Sequence, residues 1–262
     1  MKSKLLIVIP AFNCEKQLPR SINQFIKSEF NGKSDLLIID NCSNDLTIEK
    51  AVIHLEKNKE NLRSSIKLVK NKQNFGLGGT HKAAFIYSLE QNYSGVIIFH
   101  GDDQGKLSDF EFICKSKIKE ETILGSRFEK GSKIIGYSNF RIFGNLVFNF
   151  IYSLFTQKRI SDMGSGLNYF NKGLIASKTF LLMPDDLTFN NAYLLSIIKN
   201  KSVFRYQPIS WSETDQASNA KLVTQSLKIL KHLINFLVKK NTTNINLQRK
   251  KNYTFEIIWS IN

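Results

Sequence analysis

VIIFHGDDQ, residues Val96 to Gln104, decides the fold: a run of apolar β-forming residues stops abruptly in polar, metal-capable side chains. Val96, Ile97, Ile98 and Phe99 show no apolar/polar alternation, which suits a strand covered on both faces, as in a parallel sheet. His100, Asp102, Asp103 and Gln104 then emerge at its carboxyl end, where open α/β sheets place their ligand sites. Two carboxylates with oxygen- and nitrogen-bearing neighbours can hold a divalent ion and leave positions open for phosphate oxygens. The competing reading of the same residues is an ordinary acidic turn.

Upstream, Lys4–Ile9 (KLLIVI) predicts a first buried strand ended by Pro10, followed by the loop AFNCE and an amphipathic helix from about Lys16 to Ser28. Asp35–Asp40 (DLLIID) predicts a second strand that runs into Asn41, Cys42, Ser43, Asn44 and Asp45, a segment rich in N-cap residues, with a helix from Leu46 to Lys57 behind it. Ser65–Lys70 predicts a third strand, Asn71–Gly79 a glycine-rich turn, and Thr80–Gln91 another helix. Strands alternating with helices imply an α/β fold, a parallel doubly wound sheet with helices on both faces and its loops converging on one edge.

Downstream, Thr122–Gly125 predicts a short strand leading into Ser126, Arg127 and Phe128. Phe140–Phe155 has helical length and is apolar almost all round, except that Arg141, Asn145, Asn149 and Ser153 recur every four residues as one polar stripe. Two readings are open: a core helix with a polar seam, or a helix at a membrane or lipid-acceptor surface with Arg141 aimed at a phosphate. Ser161–Tyr169 (SDMGSGLNY) and Met183–Asn191 (MPDDLTFNN) read as loops, and Val203–Trp211 as a late strand that Pro208 places at a sheet edge. Lys221–Val238 predicts a basic amphipathic helix with Val223, Leu227, Leu230, Ile234 and Leu237 on its apolar face. Lys239–Asn252 reads as a polar linker, and Tyr253–Ile261 as a short strand or an amphipathic anchor. The expected division is a catalytic domain over 1–219 and a basic helix with a tail over 220–262.

Composition removes several function classes. With 42% hydrophobic and 23% charged residues the chain is not disordered. A formal net charge of +15 selects an anionic partner: nucleic acid, an anionic membrane surface or phosphorylated substrates. No aromatic-interleaved RNA motif is present, which sets nucleic acid aside. Cys14, Cys42 and Cys114 are odd in number and lack metal-ligand spacing, so a reducing cytoplasm is the expected compartment. No apolar run reaches the roughly eighteen residues of a membrane-spanning helix, so membrane contact is expected to be peripheral.

Taken together, VIPAFNCE, LLIIDNCSND, NFGLGGTHKAA, IIFHGDDQ, LGSRF and SDMGSGLNYF stand in the order and spacing seen in family 2 glycosyltransferases. From residue 4 to 215 the chain resembles that family, most closely the branch of dolichyl- and polyprenyl-phosphate sugar synthases. The resemblance implies a GT-A-type fold, Mn2+ or Mg2+, a nucleotide-sugar donor, and inverting transfer to a polyprenyl-phosphate or lipid-linked glycan acceptor at the inner face of the cytoplasmic membrane. It places Pro10, Ala11, Phe12, Asn13, Glu15, Asp40 and Asn41 around the nucleoside, with Asp40 accepting a hydrogen bond from a ring N–H. It also places Gly76, Gly78 and Gly79 near the nucleotide.

The family's Asp-x-Asp followed by Gln reads here as His100, Gly101, Asp102, Asp103 and Gln104, so His100, Asp102 and Gln104 are the implied metal ligands. Three roles are open to His100: ligating the metal, contacting the diphosphate, or pointing into the core. Ligation by imidazole would favour manganese over magnesium. Asp103 has no counterpart in the family. Arg127 and Arg141 match basic residues that face phosphate in the polyprenyl-phosphate branch, and Asp162 matches its Asp-x-x-Ser-Gly signature, which positions the sugar. Where that branch carries a basic residue followed by Gly-x-Ser-Lys, this chain has Trp211, Ser212, Glu213, Thr214 and Asp215, with acids in place of the cation. Asp215 therefore joins Asp102, Arg127, Arg141 and Asp162 among the catalytic candidates. A phosphate acceptor needs no protein base, whereas a saccharide hydroxyl needs one of Asp162, Asp185, Asp186 or Asp215 to take its proton. A catalytically silent nucleotide-sugar-binding protein is the remaining alternative.

Overall fold

The computed structural model describes residues 4–115, 121–213, 215, 222–238 and 252–262. β1 (Leu5–Ala11), β2 (Ser34–Asp40), β3 (Ile66–Asn71) and β4 (Gly95–Phe99) run parallel, connected by α1 (Leu18–Lys27), α2 (Thr47–Lys57) and α3 (Gly76–Glu90). Pro10 does not end the first strand as its sequence predicts. It pairs opposite Ile39 on β2, while pairing with β4 has already stopped at Val8. The proline's missing N–H falls on that open side, where its carbonyl still accepts the Gly101 N–H at 3.0 Å.

The second half builds β5 (Thr122–Ser126), β6 (Lys133–Ile135), α4 (Asn139–Thr156), β7 (Leu167–Asn171), α5 (Lys172–Ala176), α6 (Phe189–Lys199), β8 (Phe204–Pro208), β9 (Ser210–Ser212), α7 (Leu222–Val238) and β10 (Phe255–Ile261). The main sheet has the order β10-β3-β2-β1-β4-β7-β5-β8, and β6 pairs with β9 in a separate small sheet. The purely parallel sheet expected from the sequence is corrected to a mixed one, because β7 is antiparallel to β4 and β5 and β10 is antiparallel to β3. β7 begins within the Ser161–Tyr169 segment that reads as a loop and runs two residues past it. Its asparagines hid it, and the sheet satisfies both: Asn168 Oδ1 accepts the Gly125 N–H, and Asn171 Nδ2 donates to Thr122 Oγ1. Tyr253–Ile261, open between strand and anchor, supplies the edge strand beside β3. The linker expected over 239–252 lies, apart from Asn252, outside the described residues, as does the 219/220 boundary.

The uniform apolar runs of β1 and β4 are explained by two core layers. Leu6, Val8, Val96 and Ile98 pack on the side of α3, α5 and α6, while Ile7, Ile9, Ile97 and Phe99 pack on the side of α1 and α2. Both faces are covered, so both sets of side chains are apolar.

α4 is neither of the simple cases. Its polar stripe faces inward: Asn145 Nδ2 donates to Tyr137 Oη, Asn149 Nδ2 to the Ser161 carbonyl, and Arg141 pairs with Glu213. The apolar side faces out, with Phe140, Phe143 and Phe150 exposed at 76%, 67% and 68%. α7 packs beside it, where Tyr152 Oη donates to the Ile229 carbonyl at 2.9 Å. The apolar face predicted for α7 is corrected as well. Leu233, Ile229 and Phe236 meet the core, whereas Leu227, Ile234 and Leu237 are left exposed. Among the described residues no helix is long and apolar enough to cross a membrane.

Candidate active site

The carboxyl ends of β1, β2 and β4 open on one cleft of about 1190 Å³. One wall of it is Pro10, Ala11, Phe12 and Asn13 from the loop after β1, with Asn41, Asn74, Gly76, Leu77 and Thr80 beside them. Asn13 is in the left-handed region, at φ 48°, and locks the two loops together: its N–H donates to Ser43 Oγ and its Oδ1 accepts from the Asn44 N–H. Glu15 does the same rather than facing the cleft, since its N–H donates to Asp45 and its carboxylate accepts the Leu46 N–H. Cys14 also lines the cleft, but burial pushes its thiol up to about 12, which removes it as a nucleophile.

Asp40 is fully buried behind this wall. One carboxylate oxygen accepts the Ser43 N–H at 3.0 Å, the other has no protein partner, and burial raises its pKa. Asn41 is the residue that reaches the cleft. Its Oδ1 accepts from Asn71 Nδ2 and the Phe75 N–H, and its Nδ2 donates to Asn74, which in turn accepts the Gly76 N–H. The glycine turn is the first turn of α3, not a loop before it. Gly76 (φ +74°) and Gly78 are required because an added Cβ would stand 2.4 Å from the Asp185 carbonyl or 2.3 Å from that of Pro184. Gly76 lines the cleft, while Gly78 and Gly79 pack against the Pro184–Asp185 backbone and Phe75.

At the end of β4, His100, Asp102 and Gln104 all front the cleft, whereas Asp103 turns away in the left-handed conformation to bind Arg20 and Gln24 on α1. Burial raises the Asp102 carboxyl, and only the Gln104 N–H, at 3.2 Å, donates to it. Burial also lowers His100, against the opposing charge of Asp102, and so favours the neutral imidazole. Its Nε2 has no protein partner, and Gly166 lies so close that a Cβ there would be 2.7 Å from its Nδ1. His81, missed in the sequence, sits behind it with ring centroids 5.6 Å apart, fully buried and likewise held neutral by desolvation. Among the described residues no three His, Cys, Asp or Glu side chains converge on one point. One carboxylate, an imidazole nitrogen without a protein partner and an amide are donor types that would suit a divalent ion shared with phosphate oxygens.

Arg127 and Asp162 form a closed buried pair. Nε and Nη2 donate at 2.7 and 2.9 Å, and the Arg127 and Gly164 backbone N–H groups add two more bonds to the same carboxylate. Desolvation alone would lower the arginine, but the Asp162 charge and bonds outweigh it and hold Arg127 protonated. The remaining acids are paired too: Asp185 with Lys82 at 2.7 Å, Asp186 with Lys228 at 2.6 Å, and Asp215 with Arg20 at 2.8 Å outside the cleft. Of that set only Asp186 fronts the cleft. Tyr253, just before β10, also donates to Asp185 at 2.7 Å, so the end of the chain braces the loop that meets the glycine turn. Glu213 is the acid that the Trp211–Asp215 segment brings into the cleft. Arg141, stacked 4.2 Å over the Tyr137 ring, is its partner.

The Glycosyl transferase family 2 model matches residues 6–176. An uncharacterized protein of Methanocaldococcus jannaschii is 24% identical over 236 residues, covering 89% of this chain and 92% of its own. An undecaprenyl-phosphate mannosyltransferase of Micrococcus luteus is 22% identical over 138 residues, 53% of this chain and 54% of its own. Among solved structures, glucosyl-3-phosphoglycerate synthase of Mycobacterium tuberculosis in complex with Mn2+ and UDP-glucose superposes with a TM-score of 0.64. That match has 14% identity and covers 90% of this chain and 79% of the other. The matched region supplies β1 to β4, the glycine turn and the Asp102 loop, which together line one side of the cleft, and on that match the chain belongs to glycosyl transferase family 2.

Proposed function

We infer that the protein transfers a sugar, with inversion, from a nucleotide diphosphate sugar to the phosphate of a membrane-borne polyprenyl phosphate. The observation that carries this reading is the pairing of the acids. Of the three carboxylates fronting the cleft, Asp186 and Glu213 are in ion pairs, and Asp102 stands where the metal-binding acid belongs. Among the described residues lining the cleft, no carboxylate other than Asp102 is free of an ion pair and so available to deprotonate a hydroxyl, whereas a phosphate nucleophile is already ionised. The loops after β1 and β2 hold the nucleoside, and His100, Asp102 and Gln104 hold Mn2+ or Mg2+, which when bound neutralises charge on the departing diphosphate. Arg141, at the start of α4, meets the acceptor phosphate, and its planar fork suits that contact.

The outward apolar face of α4, continued by Leu227 and Ile234 of α7, borders this mouth of the cleft and supports a bilayer as the place where the acceptor is met. The test is transfer of labelled sugar from UDP-, GDP- and dTDP-sugars, with either metal, into an organic-extractable product. Label from one donor is the expected result, and nucleotide-sugar binding with label only in a saccharide would replace the phosphate acceptor by a hydroxyl.

The membrane part has its own test. Phe143→Ser with Phe150→Ser removes two exposed rings, each contributing about 1.5–3 kcal/mol when buried. Co-sedimentation with anionic vesicles is expected to fall at least about tenfold while the melting temperature stays unchanged. Undiminished binding would remove α4 from the contact.

A further inference from the structure

Arg127 and Arg141 are the two arginines that front the cleft, and they differ in availability. Arg127 is consumed by Asp162. Arg141 is held by one carboxylate oxygen of Glu213 on one of its terminal nitrogens, with side-chain exposures of 22% and 10%. Glu213 reaches this place from a rigid support: its N–H donates to the Ile135 carbonyl at 3.0 Å, and Gly136, at φ +73°, lets the chain pass where a Cβ would be 2.2 Å from the Glu213 carbonyl. A carboxylate is thus built into the cleft on the cation that any phosphate entering it would seek.

We propose that Glu213 is an acceptor-selecting residue, which occupies Arg141 so that small soluble phosphates bind poorly and only a phosphate carried on a long apolar chain displaces or shares the contact. The inference rests on the phosphate-acceptor reading above. Every anion meets the same repulsion from Glu213, since like charges at short range oppose binding. An isoprenoid tail can offset it by burying apolar surface along Phe140, Phe148 and Leu227, which line the mouth beside Arg141. Inorganic phosphate has no such contribution.

The experiment is calorimetric titration of the full chain, and of Glu213→Gln, Glu213→Asp and Arg141→Ala variants, with inorganic phosphate and with farnesyl phosphate as a soluble prenyl phosphate. Glu213→Gln keeps the shape and an oxygen facing Arg141 while removing the charge. It is expected to bind both ligands about tenfold more tightly, about 1.4 kcal/mol, with Glu213→Asp close to the parent. Inorganic phosphate alone should then occupy the site at about one-tenth of the concentration the parent needs, while its affinity relative to farnesyl phosphate, set by the tail, stays unchanged. Unchanged or weaker binding by Glu213→Gln, with Arg141→Ala still costing affinity for farnesyl phosphate, would overturn the selecting role alone. Binding of farnesyl phosphate that ignores Arg141→Ala would overturn the phosphate-acceptor reading itself.

Discussion

Asp102→Ala is expected to lower kcat by at least about 10³-fold, about 4 kcal/mol of lost transition-state stabilisation, without lowering the melting temperature. The two halves of this expectation have one cause. Desolvation raises the Asp102 carboxyl above its ordinary range; neighbouring His100 and the one long backbone hydrogen bond from Gln104 oppose that shift, and Glu213 and Asp103 add to it. Such a group opposes folding slightly, so alanine leaves stability equal or higher, while the cleft loses its one unpaired acid. Asp103→Ala serves as the contrast. It breaks the Arg20 and Gln24 contacts at 2.7 Å on the far side of the loop, and transfer should persist. Full activity in Asp102→Ala would displace the metal position from the end of β4.

Asp162→Ala is expected to act in the opposite way, through the fold. Asp162 is the partner of a buried guanidinium and accepts four hydrogen bonds, so its removal leaves an uncompensated charge in the interior. Breaking a buried pair from one side costs about 3–5 kcal/mol. For a chain of this size that is a fall in melting temperature of roughly 6–20 °C. The double variant Arg127→Met with Asp162→Leu removes both charges and should recover most of the loss, because the penalty belongs to the unpaired arginine and not to the absence of the pair. If Asp162→Ala melts like the parent, the pair is not structural, and Arg127 becomes available to a ligand after all.

These two residues show how far the sequence could be read. Position put His100, Asp102, Asp103 and Gln104 together at the carboxyl end of an apolar strand, but only the family motif singled out Asp102; Asp103, from the same loop, faces Arg20 and Gln24 instead. Asp162 and Arg127 were legible as special but not as each other's partners, since thirty-odd residues of helix and loop separate them and only the β5–β7 pairing brings them together. The same limit explains Glu213. Trp211–Asp215 carries two acids one residue apart from one another, and pattern cannot say which faces inward; the β6–β9 ladder and Gly136 decide it. α4 was ambiguous for a different reason. A polar stripe on an apolar helix has the same period whichever side is wet, and only the inward partners Tyr137, Ser161 and Glu213 reveal that the stripe faces the protein.

The β10–β3 ladder and the Tyr253–Asp185 contact couple the far end of the chain to the cleft. During synthesis, β3 therefore waits as a bare edge with unpaired backbone groups until residues 255–261 have left the ribosome. Its closing partner comes from very distant sequence, which makes this the slowest kind of contact to form. A nascent chain halted before residue 253 would carry every motif of the β1–β4 side of the cleft and still lack the brace behind its glycine turn. Activity should accordingly appear only once β10 has been made, and a chaperone binding extended edges would find its natural target at Ile66–Asn71.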